Sequence, residues 1–132
     1  MAEVLCIDDE PGVVELVELV LQNEGITVRG AYNGADGLAA IRERRPDAIL
    51  LDIMMPDIDG WDLFKAIKAD EALRDIPVII LTATARGQGS FDEIIARERA
   101  GVDDYITKPF TPSGLRTCLR RVLQSVSEAE VS

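Results

Sequence analysis

Residues 48–52 read AILLD, four apolar residues and then an aspartate, and this stretch governs how the rest of the chain is read. A run that is apolar at every position, not at alternate ones, is what a parallel strand needs when helices cover both its faces. Two other runs have the same form: VLCI at 4–7, followed by Asp8-Asp9-Glu10, and VIIL at 78–81, followed by Thr82. Two weaker strand candidates remain. ITVRGA at 26–31 carries Thr27 and Arg29, and Tyr105–Ile106 is barely two residues long before Thr107-Lys108-Pro109.

Between these runs the apolar residues recur at helical spacing. The clearest stripe is Leu115, Cys118, Leu119, Val122, Leu123 and Val126; Leu63, Phe64 and Ile67 form another, as do Phe91, Ile94 and Ile95. Asn33-Gly34 and Thr111-Pro112 mark two helix starts. Five strand–helix units in succession predict an α/β domain, a parallel sheet with helices on both faces. The three continuously apolar runs belong in its middle and the two weaker ones at its edges, which gives the order 2-1-3-4-5. That is the order of the flavodoxin-like doubly wound (βα)5 sandwich, whose ligands bind at the switch point between strands 1 and 3, beyond their carboxyl ends.

Composition narrows the function. A chain of 132 residues, 47% apolar, is one domain able to bury roughly two-thirds of its unfolded surface. Fourteen Lys and Arg against 24 Asp and Glu leave a net charge of −10, from which no direct nucleic-acid binding and no contact with an anionic membrane are expected. No apolar run has the length of a membrane span, and the opening MAEVLCIDDE lacks the basic start of a secretion signal, so a cytoplasmic location is expected. Cys6 and Cys118 have no metal-ligand spacing, and the absence of histidine excludes a Ser-His-Asp triad and a His-based zinc site. From about Ser125 the chain (SVSEAEVS) is small, polar and acidic, so the domain is placed at 1–126, with 127–132 as a flexible tail or the start of a linker.

Four strands thus deliver polar residues to one edge of one sheet: Asp8, Asp9 and Glu10, then Asp52, then Thr82, then Thr107 and Lys108. Singly, each reads as a turn or cap residue. Together at the switch point they make a site. Asp8, Asp9 and Asp52 brought close repel one another, and Lys108 offsets only part of that. A hard divalent cation, Mg²⁺, suits such a set of oxygens and leaves a position open for a phosphoryl oxygen. An Asp carboxylate can then act as nucleophile, with the cation, Lys108 and a threonine hydroxyl dispersing the phosphoryl charge. Asp52, at the end of the central strand, is the natural acceptor. No P-loop, GxGxxG or GxSxG motif competes with this reading.

The motifs IDDEP at 7–11, LLDIMMPDIDG at 50–60, VIILTA at 78–83 and AGVDDYITKPF at 100–110 closely resemble the receiver domain of response regulators in two-component signalling, of the chemotaxis-receiver type. The resemblance implies that Asp52 is the phosphoacceptor and that Asp8, Asp9, Asp52 and the backbone carbonyl of Met54 hold Mg²⁺. It implies that Thr82 hydrogen-bonds the phosphoryl group and Lys108 pairs with it, that the Lys108–Pro109 peptide is cis, and that Tyr105 is the aromatic partner of Thr82 in the conformational switch. The implied donor is a sensor histidine kinase or a histidine phosphotransfer domain. The signal would leave by the face of the fourth helix, fifth strand and fifth helix, toward an output target the sequence does not name, and a homodimer through that face stays open. Such a domain is a phosphorylation switch, not an enzyme in the ordinary sense, although it catalyses its own phosphorylation and dephosphorylation.

One departure stands out. Lys108 follows Thr82 by 26 positions, about one helical turn more than the family pattern, with the surplus near ARGQGSFDE at 85–93. Two other readings fit the residues less well. A haloacid-dehalogenase-like phosphatase would carry a second Asp two residues after the nucleophile, where this chain has Met54. A receiver-like module without the chemistry would not keep Asp8, Asp9, Asp52, Thr82 and Lys108 together.

Overall fold

The computed structural model describes residues 2–53, 60–83, 104–108 and 110–131. Five strands, β1 (Ala2–Ile7), β2 (Ile26–Ala31), β3 (Ala48–Asp52), β4 (Val78–Ala83) and β5 (Asp104–Lys108), pair in parallel in the order β2-β1-β3-β4-β5. The helices are α1 (Pro11–Leu21), α2 (Gly34–Glu43), α3 (Gly60–Ala69) and a C-terminal helix, Pro112–Val131. The helix expected around Phe91, Ile94 and Ile95, and the surplus residues near it, lie outside the described residues.

The pleat explains why the central strands are apolar throughout. Val4 and Cys6 of β1, Ala48 and Leu50 of β3, and Ile79 and Leu81 of β4 face one core, which α1 and the C-terminal helix close with Val14, Val17, Leu21, Leu115 and Leu119. Their alternates, Leu5 and Ile7, Ile49 and Leu51, Val78 and Ile80, face a second core closed by Ile41 of α2 and Leu63, Phe64 and Ile67 of α3. A two-residue period serving two cores leaves no position for a polar side chain until the strand ends. Truncating Leu50, fully buried in the middle strand, to alanine costs about 2–5 kcal/mol.

Local signals set the helix starts. Asn33 accepts the Asp36 N–H at 2.7 Å and caps α2, and Pro11 opens α1. The Thr111 hydroxyl accepts the Gly114 N–H at 3.0 Å and caps the C-terminal helix. Gly25 turns the chain into β2 with φ at +71°, a conformation that side chains other than glycine's resist. The C-terminal helix stays helical in its backbone through Val131, past Ser125 where its apolar pattern weakens. An established helix adds one hydrogen bond for each residue it fixes and does not need packing at every turn.

The fifth strand is longer than its apolar pair suggested. Asp104 to Lys108 pair with Ile79 to Ala83 residue for residue, because a parallel edge is held by backbone hydrogen bonds that polar side chains do not prevent. Beside it, the Cys118 thiol donates to Asp104 Oδ2 at 3.2 Å, and Arg121 pairs with the same carboxylate. Burial first, then the hydrogen bond to Asp104 and its negative charge, push the thiol up to about 12.

At the amino end of the sheet, Arg29 of the edge strand β2 pairs with Glu3 at 2.9 Å and donates to the Ala40 carbonyl at 3.1 Å, while Arg44 pairs with Glu3 at 2.6 Å. Burial alone would raise the Glu3 carboxyl. The Arg44 hydrogen bond and the charges of both guanidinium groups outweigh it and hold the group below the usual carboxylate range.

Candidate functional site

Register builds the site. Cys6 pairs with Leu50 and Ile7 with Leu51, so one further step brings Asp8 beside Asp52 at the carboxyl end of the two central strands. Both aspartates are buried, Asp8 at 0% and Asp52 at 3% exposure, and they are the only buried charged residues among those described. The chain after β1 is tied down twice. The Asp8 amide donates to the Ala31 carbonyl at 3.0 Å, and Asp8 Oδ1 accepts the Glu10 amide at 2.9 Å. Those bonds hold the Asp8-Asp9-Glu10 turn against the end of β2 and aim it across β3.

One carboxylate oxygen from each of Asp8, Asp9, Glu10 and Asp52 lies within 4.8 Å of the others. Four carboxylates this close strongly favour the arrival of a cation. Carboxylate oxygen is also the donor that Mg²⁺ selects, in preference to the nitrogen and sulfur ligands of softer metals. The donor set therefore fits the cation that the sequence suggested.

Of the residues read from sequence, Asp8, Asp9 and Asp52 come together as expected. Glu10 joins them, although the sequence did not single it out as a candidate ligand. It is the third acid of the same run, and its place was legible only once the turn was seen to fold back on Asp8. Thr82 and Lys108 sit at the carboxyl ends of β4 and β5, where Thr82 pairs with Thr107 and Ala83 with Lys108; Asp52 pairs with Leu81, one step before Thr82. Tyr105 pairs with Ile80 within β5. These backbone positions put Thr82 and Lys108 on the edge that bears the carboxylates. The side chains of Thr82, Tyr105 and Lys108 lie outside the described residues, as do Met54 with its carbonyl and Pro109 with the peptide expected to be cis.

Comparison with known proteins bears directly on this geometry. Residues 4–120 match the model of the response regulator receiver domain, and the chain belongs to that family. It is a receiver domain of two-component signalling, a class that works as a phosphorylation switch. Among its relatives, the phosphate regulon transcriptional regulatory protein PhoB of Pseudomonas aeruginosa is 39% identical over 132 residues, covering 97% of this chain and 56% of its own. The DNA-binding dual master transcriptional regulator RpaA of Synechocystis is 36% identical over 124 residues, covering 94% of this chain and 50% of its own. Among solved structures, the chemotaxis protein CheY4 of Vibrio cholerae is 31% identical with a TM-score of 0.80, covering 92% of this chain and 98% of its own.

The chain spans about half the length of the curated relatives it matches. This corrects one expectation. From the net charge of −10 no direct nucleic-acid binding is expected, yet relatives such as RpaA are named as DNA-binding regulators. A net charge describes the surface that these 132 residues make and nothing else, so the exclusion does not stand. Among the described residues no helix is long and apolar enough to cross a membrane.

Proposed function

We propose that Asp52 is the phosphoacceptor of this receiver domain and that Asp8, Asp9 and Asp52, with the Met54 carbonyl, hold Mg²⁺ beside it. The observation that carries the proposal is the gathering of the Asp8, Asp9, Glu10 and Asp52 carboxylates at the carboxyl end of β1 and β3. Bound Mg²⁺ neutralises charge on the phosphoryl oxygens.

In the transfer, a carboxylate oxygen of Asp52 attacks the phosphorus of a phosphohistidine on a sensor histidine kinase or histidine phosphotransfer domain. The phosphorus–nitrogen bond breaks, its electron pair stays on the imidazole, and that nitrogen then takes up a proton. Asp52 is left as an acyl phosphate. Lys108 and the Thr82 hydroxyl take the phosphoryl oxygens, the pull on Thr82 draws Tyr105 inward, and the Lys108–Pro109 peptide is cis. Hydrolysis follows when water attacks the phosphorus and releases inorganic phosphate, so the domain promotes both its own phosphorylation and its own reset. Phosphorylation adds negative charge that biases a two-state equilibrium, which is read on the face of the fourth helix, β5 and the C-terminal helix.

The functional unit is taken as residues 1–126, with 127–132 leading away from it. The output we infer is transcriptional control, as named for PhoB and RpaA, exerted through a joined DNA-binding unit or a partner that carries one. A cytoplasmic location goes with that output.

The test is to incubate the protein with Mg²⁺ and acetyl phosphate and measure its intact mass, with Asp52→Ala and a metal-free sample alongside. A labile phosphoryl adduct in the wild type with Mg²⁺ alone is expected. An adduct that survives Asp52→Ala would assign the nucleophile elsewhere, and no adduct on folded, Mg²⁺-bound protein would remove the phosphoacceptor reading.

A further inference from the structure

The first residue of α3 touches the site in a way that its chemistry does not advertise. The Gly60 N–H donates to the Ile53 carbonyl at 3.2 Å, which satisfies one of the amides that a helix start leaves open. A Cβ at Gly60 would stand 2.2 Å from Ile53 Cα, 2.7 Å from the Asp52 carbonyl oxygen and 2.9 Å from the Ile53 carbonyl carbon. All three atoms are backbone. No rotamer change can relieve the overlap, so a side chain there has to move either α3 or the end of β3.

Other glycines with tight surroundings differ in kind. The nearest atom to a Cβ at Gly30 is a Val14 side-chain carbon at 2.6 Å, and at Gly37 it is an Ile7 side-chain carbon at 2.8 Å. Those neighbours are side chains of the core, not backbone of the site. At Gly60 φ is outside the left-handed range, so conformational freedom is not what the position requires. It requires closeness.

We propose that Gly60 is a positioning residue for Asp52: its lack of a side chain lets α3 close directly on the Asp52–Ile53 peptide and sets where the Asp52 carboxylate stands against Asp8 and Asp9. The inference rests on the reading of Asp52 as phosphoacceptor and cation ligand. On one side Asp52 is fixed by the pairing of β3 with β4, in which the Ile53 amide donates to the Leu81 carbonyl at 3.4 Å. Gly60 holds the same peptide from the other side. α3 is anchored in the second core by Leu63, Phe64 and Ile67, and Ile53 is buried in that same core, so the helix cannot withdraw without unpacking it and the end of β3 shares the displacement. A displacement of about 1 Å at a reacting group costs on the order of a hundredfold in rate.

The experiment compares wild type, Gly60→Ala and, as a packing control, Gly30→Ala, whose added methyl meets only side chains. Mg²⁺ affinity is measured by calorimetry, the rate of adduct formation with acetyl phosphate by intact mass, and stability by urea unfolding. Gly60→Ala is expected to bind Mg²⁺ about tenfold more weakly and to gain the adduct about a hundredfold more slowly, while Gly30→Ala loses stability with both site readouts intact. Wild-type Mg²⁺ affinity in Gly60→Ala would overturn the proposal, as would an equal loss of affinity in Gly30→Ala. If the wild type forms no adduct, the phosphoacceptor reading fails, yet the Mg²⁺ titration still decides whether Gly60 places Asp52. Should Gly60→Ala unfold, repeating the titrations of all three proteins in trimethylamine N-oxide, which favours compact states, gives the same comparison.

Discussion

At the amino end of the sheet Glu3 is gripped by Arg29 and Arg44; at the carboxyl end Asp8, Asp9, Glu10 and Asp52 are gathered upon one another. The two ends share strand β1 and the same kind of side chain, yet they use it in opposite ways. One acid with two arginines is a clasp that ties β1, the edge strand β2 and the end of α2 together, and its charges are settled within the chain. Four acids gathered in one place are the kind of donor set that a cation would join. The first arrangement suits holding the fold together, and the second suits taking up an ion.

The strongest way to break this comparison is at Asp52. Asp52→Ala is expected to abolish the phosphoryl adduct while the protein stays folded, since removing one of four clustered acids relieves repulsion; mass spectrometry and circular dichroism together check it. Next in size is the response to the cation. Mg²⁺ at a hundredfold excess over its Kd should stabilise the wild type by about 2.7 kcal/mol. Asp9→Asn should lose most of that gain, and urea midpoints with and without Mg²⁺ provide the measurement. Equal gains in the two proteins would mean that the cation sits elsewhere.

The clasp should respond to acid and ignore the cation. Glu3→Gln is expected to cost about 1–2 kcal/mol at neutral pH and to leave Mg²⁺ affinity unchanged. The folded carboxyl titrates below its ordinary 4.5, so its stabilisation is whole above that value and fades as the pH falls through the folded one. The gap between wild type and Glu3→Gln should therefore close in acid, as urea unfolding across the range would show.

Cys118 has no pH-dependent effect at neutral pH and one of opposite sign in alkali. Its folded thiol is raised from 9.0 to about 12, so the stability it lends is whole below 9.0 and drains away as the pH climbs toward 12. Wild type should lose stability relative to Cys118→Ser over that alkaline range only, and the native thiol should resist alkylation at pH 8.

Most of the fold was legible because buried parallel strands have a distinctive form: AILLD, VLCI and VIIL allow little else, and their order followed from which runs carried Thr or Arg. The full length of β5 was hidden, because backbone pairing holds Asp104, Thr107 and Lys108 in the strand and leaves no apolar trace. At the site, Asp8, Asp9 and Asp52 could be read because Asp52 closes one apolar run and Asp8-Asp9 follow another. Glu10 and Gly60 could not be assigned parts, since each acts through how the chain folds back, Glu10 through a turn onto Asp8 and Gly60 through a closeness that only coordinates reveal. The mistaken exclusion of nucleic acid has another origin, a charge count applied beyond the surface that carries it.

The alternation of each central strand between two cores has a consequence for how this chain can change in length. Deleting or inserting one residue in β3 before Asp52 would turn Ile49, Leu50 and Leu51 to the wrong sides of the sheet and carry the aspartate out of step with Asp8. Lys108 follows Thr82 by 26 positions, and β4 and β5 are in register on either side of that connection. Substitutions can accumulate in either place, but gains and losses of residues belong to the connections, and the strands that carry the acids must keep their count.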